Sequence, residues 1–142
     1  MKLVKHLLDS KGAEIISIAA NASVLDAIKL MAERAVGSLL VMDGDALKGI
    51  VTERDYARKV IVKGRASDST EVGEIMTAEV VTATIDQTVS NCMSVMTDRR
   101  IRHLPVVDAG KVVGMISIGD LVQAIIADQQ EEIEQLEQYI SG

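Results

Sequence analysis

The stretch Gly49-Ile50-Val51-Thr52-Glu53-Arg54-Asp55 and its second version, Gly114-Met115-Ile116-Ser117-Ile118-Gly119-Asp120, carry the reading of the fold. Each runs from glycine through two apolar residues to a hydroxyl residue, with an aspartate three positions later. The two lie 65 positions apart, and the same offset lays residues 14–55 over residues 79–120 without a gap. Self-similarity of that length marks a repeated supersecondary unit.

Working outward from the pair, each copy opens on an apolar strand signal, Ile15-Ile16-Ser17 or Val80-Val81-Thr82. An amphipathic stretch follows, with Val24, Ile28 and Met31 matching Val89, Met93 and Met96 at the three-and-four spacing of one helical face. Asn21 or Ser23, and Asp86 or Thr88, are placed to cap these helices. Two apolar runs separated by a turn then read as a hairpin: residues 39–42 and 47–51 in the first copy, 104–107 and 112–116 in the second. Pro105 inside the second copy's first run predicts an edge or irregular strand. The order is strand, helix, strand, strand, helix, twice over.

A unit of about 50–60 residues buries too little surface to stand well alone. The expectation is therefore an α/β (α+β) chain of two βαββα repeats, packed sheet against sheet by pseudo-twofold symmetry with clefts between them. The expected boundaries are residues 7–66 for the first repeat, 67–75 for a polar linker, 76–128 for the second repeat and 129–142 for a helical extension. In that extension Ile133, Leu136 and Ile140 follow a three-four rhythm, which fits a narrow seam against another helix, read as one from a second subunit.

Composition narrows the function. Phe and Trp are absent and Tyr numbers two, so there is little to build the stacking platforms of single-strand nucleic-acid binders. The net charge of −6 is local: residues 120–142 hold six acidic residues and no Lys or Arg, while the other 15 acidic and 15 basic residues cancel. An acidic tail argues against binding a nucleic-acid backbone. No apolar run is long enough to span a membrane, and no signal-peptide pattern opens the chain. The one cysteine, Cys92, has no partner for an internal disulfide, which points to a reducing, cytoplasmic home. One Cys and two His far apart do not form a zinc pattern, there is no Walker A loop, and no paired nucleophile and base appear.

The repeated Ser/Thr-x-x-Asp admits two readings. In the first it is a capping box: the hydroxyl accepts from the third helical N–H, and the acid complements the positive helix end. In the second, the same helix start holds a phosphate, and the aspartate accepts from neighbouring ribose hydroxyls. Spacing alone does not separate the two, because duplication copies caps as faithfully as sites.

The two copies, each ending Gly-h-h-Ser/Thr-x-x-Asp, resemble the CBS domain pair, or Bateman module. Ile75-Met76-Thr77 looks like that family's lead-in segment, and residues 101–108, Ile-Arg-His-Leu-Pro-Val-Val-Asp, are similar to its middle strand. The resemblance covers about residues 7–128. It implies binding of AMP, ADP, ATP or a related adenosyl ligand, NAD included, in the clefts between repeats. It implies ribose contacts from Asp55 and Asp120, and phosphate contacts from Thr52, Ser117, Arg102 and His103. Arg54 and Arg58, one helical turn apart, are further phosphate candidates. Ile16, Val51, Val81, Ile101, Ile116 and Ile118 are the expected walls of a base pocket. Gly37 and Ser38 stand where the second copy has Arg102 and His103, so the two sites are expected to be unequal.

The expected function is a regulatory, signal-transducing sensor without catalysis, cofactor or metal. It is expected to work as a homodimer upon an unidentified downstream protein. The competing expectation is a ligand-free interaction scaffold acting through its dimer and its acidic C-terminal helix. A nucleotide hydrolase is the weakest reading.

Overall fold

A computed structural model describes residues 2–12 and 14–141. The chain forms two compact units. One comprises Met1–Ala13, Thr82–Asp108 and Val113–Gly142; the other comprises Glu14–Val81 and Ala109–Val112.

The second of these is built on a three-stranded sheet. Strand β1 (Ser17–Ile18) runs parallel to β2 (Ser38–Asp43), which pairs antiparallel with β3 (Ala46–Thr52). Lys48 is left over at a bulge where Val41 meets Gly49 and Met42 meets Leu47. Helix α2 (Val24–Arg34) starts where the Ser23 hydroxyl accepts from the Asp26 N–H, and turns Val24, Ala27 and Met31 inward. These pack with Leu39, Val41, Val51 and Val60, and with Val72 and Ile75 of the short helix α4 (Val72–Ile75), into one aliphatic core. After β3 the chain makes one turn of α-helix, α3 (Glu53–Tyr56), then widens into a π turn over Ala57–Ile61. The Val62 N–H reaches back five residues to the Ala57 carbonyl, the i→i+5 bond of a π turn, at 3.0 Å.

Residues 67–75, expected as a linker, belong to this unit's own framework. The Val24 and Leu25 N–H groups donate to the carbonyls of Thr70 and Ser67, and the Val72 and Gly73 N–H groups donate to those of Ala22 and Ala20.

The other unit repeats the plan at the same 65-residue offset. Helix α5 (Val89–Arg99) is capped by Thr88 and buries Val89, Cys92 and Met96. The hairpin β4 (His103–Asp108) and β5 (Lys111–Ser117) leads into the 24-residue helix α6 (Ile118–Ser141). Both repeat helices end on a residue in the left-handed conformation, Ala35 at φ 54° and Arg100 at φ 56°. The strand expected before α5 shrinks to a single parallel bridge, Ala83 to Val106. Pro105 explains this. In the first copy the Leu40 N–H donates to the Ile16 carbonyl, and Pro105, at the matching position, has no N–H to offer. Of the two outcomes its sequence context allowed, an edge or an irregular strand, Pro105 takes the second: β4 pairs with β5 on one side and only through this bridge on the other. Helix α1 (Val4–Lys11) belongs to this unit too, hydrogen-bonded through the Val4 and Lys5 N–H groups to the carbonyls of Gln87 and Ile85.

The signature glycines have a packing reason. A Cβ on Gly49 would lie 2.8 Å from both the Met76 sulfur and the Thr77 carbonyl oxygen, because Thr77 bridges to Ile50 beside it. A Cβ on Gly114 would meet the Leu8 side chain first, its Cδ2 at 2.6 Å, on α1. A backbone atom yields less than a side-chain tip. Gly49→Ala is expected to destabilise its unit by about 1–3 kcal/mol, within the range for overpacking. Gly114→Ala is expected to cost less, and the Tm values of the two variants, measured side by side, check that ranking.

Candidate functional site

Each unit ends its hairpin in a reciprocal hydrogen-bonded turn. In the first copy the Thr52 hydroxyl accepts from the Asp55 N–H at 3.1 Å, while Asp55 Oδ2 accepts from the Thr52 N–H at 3.0 Å and from its hydroxyl at 3.1 Å. In the second, the Ser117 hydroxyl accepts from the Asp120 N–H at 3.2 Å and Asp120 Oδ2 accepts from the Ser117 N–H at 2.8 Å. Both are capping boxes with aspartate in the glutamate's place. The first helical N–H is also used, Glu53 donating to the Gly37 carbonyl and Ile118 to that of Arg102. Two of the first three N–H groups at each helix start are therefore already partnered.

A lysine completes each turn, from a different place in the chain. Lys59 Nζ lies 3.0 Å from Asp55 Oδ1 and donates to the Ile75 carbonyl at 2.9 Å; the π turn sets it there. Lys11 Nζ, at the end of α1, lies 2.6 Å from Asp120 Oδ2 and donates to the Met115 carbonyl at 2.8 Å. Lys59 was legible as a neighbour of Asp55. Lys11 was not, since 109 residues separate it from Asp120 and only the docking of α1 unites them.

The two turns are unequal. The Asp55 side chain is 10% exposed, with donors on both oxygens: Thr52 on Oδ2, and Lys59 and, at 3.5 Å, the Thr77 hydroxyl on Oδ1. The Asp120 side chain is 21% exposed, and the bonds from Ser117 and Lys11 both fall on Oδ2. His103, half-buried at the start of β4, stands among the charges of this turn. Burial holds its pKa below the ordinary value and Lys11 pushes the same way; Asp120 pulls against them, and Arg102 adds the smallest push downward. Burial pushes the Asp120 carboxyl up, but the hydrogen bonds from Lys11 and Ser117 outweigh it and leave the group below its usual range.

Of the expected site residues, one unit thus gathers Ser117, Asp120, Arg102 and His103, and the other holds Thr52 and Asp55 with Arg54 and Arg58 exposed on the helical turns behind them. Arg58 lies within the π turn, so the regular one-turn spacing from Arg54 is not kept. The apolar candidates divide. Val51 (1% exposed) and Ile116 (0%) are core side chains with no surface left for a base, a correction that follows from where their strands end: residues 49–51 are buried in succession, and Ile116 lies between half-buried neighbours. Ile16, Val81, Ile101 and Ile118 keep partial exposure. Cys92 is wholly buried, which raises its pKa and suits a packing role. Among the described residues no group of three or more His, Cys, Asp or Glu is placed to hold a metal ion, and no helix is long and apolar enough to cross a membrane.

Two helix-capping hydroxyl–aspartate turns, one per βαββα repeat, define a tandem-repeat fold, and comparison with known proteins agrees. The CBS domain family model matches residues 4–62 and 72–127, and the chain belongs to that family. It is 48% identical over 125 residues to the CBS domain-containing protein CBSX3, mitochondrial, of Arabidopsis thaliana, covering 84% of this chain and 61% of the plant protein. A protein with CBS domains from Burkholderia ambifaria superposes with a TM-score of 0.87 at 53% identity, covering 90% of this chain and 96% of that one. The CBS domain pair of protein MJ0100, in complex with 5′-methylthioadenosine and S-adenosyl-L-methionine, superposes with a TM-score of 0.80 at 28% identity, covering 90% and 98%.

The depressed Asp120 pKa carries a linkage. A carboxyl whose folded value lies below its unfolded one contributes stability that is present above the unfolded value, about pH 3.9, and is lost as pH falls through the folded one. Lys11→Met is expected to raise the Asp120 pKa, read by carboxyl-detected NMR titration, and to flatten the loss of Tm in that acid range.

Proposed function

We propose that this chain is a non-catalytic regulatory module that binds an adenosyl ligand, with the Ser117–Asp120 turn as its principal site. The observation that carries this is the contrast between the two carboxylates. Asp55 is enclosed by donors on both oxygens, whereas Asp120 is more open and its Oδ1 takes no part in the bonds from Ser117 and Lys11. In this reading Asp120 accepts from the ribose hydroxyls, Ser117, Arg102 and His103 meet the phosphate, and Ile101 and Ile118 flank the base. Lys11, released from Asp120, is near enough to join the phosphate contacts. Thr52 and Asp55 form a second, weaker site, with Ile16 and Val81 as apolar neighbours and Arg54 and Arg58 on the phosphate side. The adenosyl ligands named for MJ0100 support the class of ligand; AMP, ADP, ATP and NAD are the members proposed for this chain.

The module is proposed to act as a homodimer of its repeat bodies in the cytoplasm, and to pass its signal to a separate protein. Ligand can bias a conformational equilibrium only by binding one state better than another. A second reading, a ligand-free interaction scaffold, is favoured by one observation: the exposed acidic end of α6.

Thermal unfolding with AMP, ADP, ATP, NAD and S-adenosylmethionine separates the readings. A ligand at 100 times its Kd is expected to add about 2.7 kcal/mol of stability. Asp120→Asn is expected to abolish that gain and Asp55→Asn to leave most of it; a flat response to all five ligands supports the scaffold. The depressed His103 pKa adds a sign. Its neutral form prevails above about pH 6.5, and an arriving phosphate favours the cation. AMP binding is therefore expected to take up a proton near neutral pH, seen by calorimetry in two buffers of different ionisation enthalpy, and His103→Gln is expected to reduce that uptake.

A further inference from the structure

The ammonium at each carboxylate comes from a different point of the repeat. At the 65-residue offset the position matching Lys11 holds Met76, and the position matching Lys59 holds the buried Ala124. The duplicated pattern does not contain the lysine, yet each turn has one. Both lysines make the same two contacts, one to the aspartate and one to a backbone carbonyl: Lys59 to Asp55 and Ile75, Lys11 to Asp120 and Met115. They differ in the oxygen they take. Lys59 sits on Oδ1, the oxygen that Thr52 leaves free, and so closes Asp55. Lys11 sits on Oδ2, which Ser117 already holds, and leaves Oδ1 clear of both bonds.

A lysine in the last turn of a helix is favoured by the helix dipole wherever its tip lies. Lys11 goes further, because its Nζ leaves α1 to bridge Asp120 Oδ2 and the Met115 carbonyl. Leu7 and Leu8 are buried within the preceding turn, so a docked helix delivers the ammonium. An ammonium carries three donors, and these two contacts use two of them. The side chain stays 39% exposed, so the third donor is open to an arriving acceptor.

The charges around Asp120 give that donor its consequence. Arg102 and His103 lead into β4 beside the helix start, where the Arg102 carbonyl accepts from the Ile118 N–H at 2.9 Å. Lys11, Arg102 and Asp120 all act on His103 through their charge, so the four groups share one electrostatic neighbourhood. With His103 neutral, that neighbourhood holds two positive charges and one negative. Without Lys11 it would hold one of each, and the surplus that favours an anion would be gone.

We propose that Lys11 is a specificity-determining residue of the Ser117–Asp120 site, selecting adenosyl ligands with an anionic 5′ group over those with a neutral or cationic one. This rests on the adenosyl reading above and adds the charge class of the ligand. A 5′-phosphate gains a charge-assisted hydrogen bond from the ammonium. Adenosine gains nothing from it, and the sulfonium of S-adenosylmethionine meets the surplus positive charge.

The test titrates the full chain with AMP, adenosine and S-adenosylmethionine and reads each Kd from the Ser117 amide shift, which reports on this turn. The parent chain is expected to bind AMP at least about tenfold more tightly than adenosine, a difference of about 1.4 kcal/mol, and S-adenosylmethionine no better than adenosine. Lys11→Met and Lys11→Gln are each expected to remove most of the preference for AMP over adenosine, and Lys11→Arg to keep it. Equal binding of all three ligands by the parent chain overturns this proposal alone. So does an equal weakening of AMP and adenosine in Lys11→Met and Lys11→Gln, because the lysine is then only a brace between α1 and the turn. If none of the three ligands moves the Ser117 amide, the adenosyl reading fails and this proposal fails with it.

Discussion

The constraint behind this molecule is the closure of a helix start by one aspartate. A strand that ends in serine or threonine must hand its chain to a helix whose first N–H groups lack intrahelical partners. Here the hydroxyl takes one of them, a neighbouring carbonyl takes another, and the carboxylate bonds back to the strand's last N–H. The hairpin and the helix are thereby joined at a fixed angle in each repeat. The carboxylate that does this is the same group proposed to receive the ribose, so capping and recognition are two uses of one geometry.

Much of the fold was legible because duplication doubles every signal. Helices, hairpins and caps recur at the same offset, and Ser23 and Thr88 proved to be the caps among the alternatives. What the pattern does not carry is long-range. Nothing in residues 4–11 announces that α1 joins the unit built on residues 82–108, or that its last lysine reaches Asp120. The π turn after α3 was likewise hidden, since residues 57–61 hold no glycine or proline to mark it. Pro105 was visible, but its effect falls on residues 81–83, across the ladder, rather than on its own strand's position in the sheet.

The candidate site shows the same division. Thr52, Asp55, Ser117 and Asp120 could be named from spacing, and the inequality of the two turns from the residues at 37–38 and 102–103. The physical source of that inequality is different: lysines from unrelated places clasp the two carboxylates, one deeply enclosed and one less so. Apolar character alone named Val51 and Ile116 as pocket walls, yet both side chains are wholly taken up by the core. Hydrophobicity marks what is buried, not which side of a strand a ligand meets.

The central claim is that an adenosyl ligand takes hold of Asp120. Amide chemical shifts read this directly, because the Ser117 and Asp120 N–H groups both lie in the turn's hydrogen bonds. On titration with AMP or S-adenosylmethionine, the amides of Ser117, Asp120 and His103 should shift in a saturable manner and ahead of those at Thr52 and Asp55. If both ligands leave the 117–120 amides unmoved while the protein stays folded, the turn is only a cap and the account is wrong.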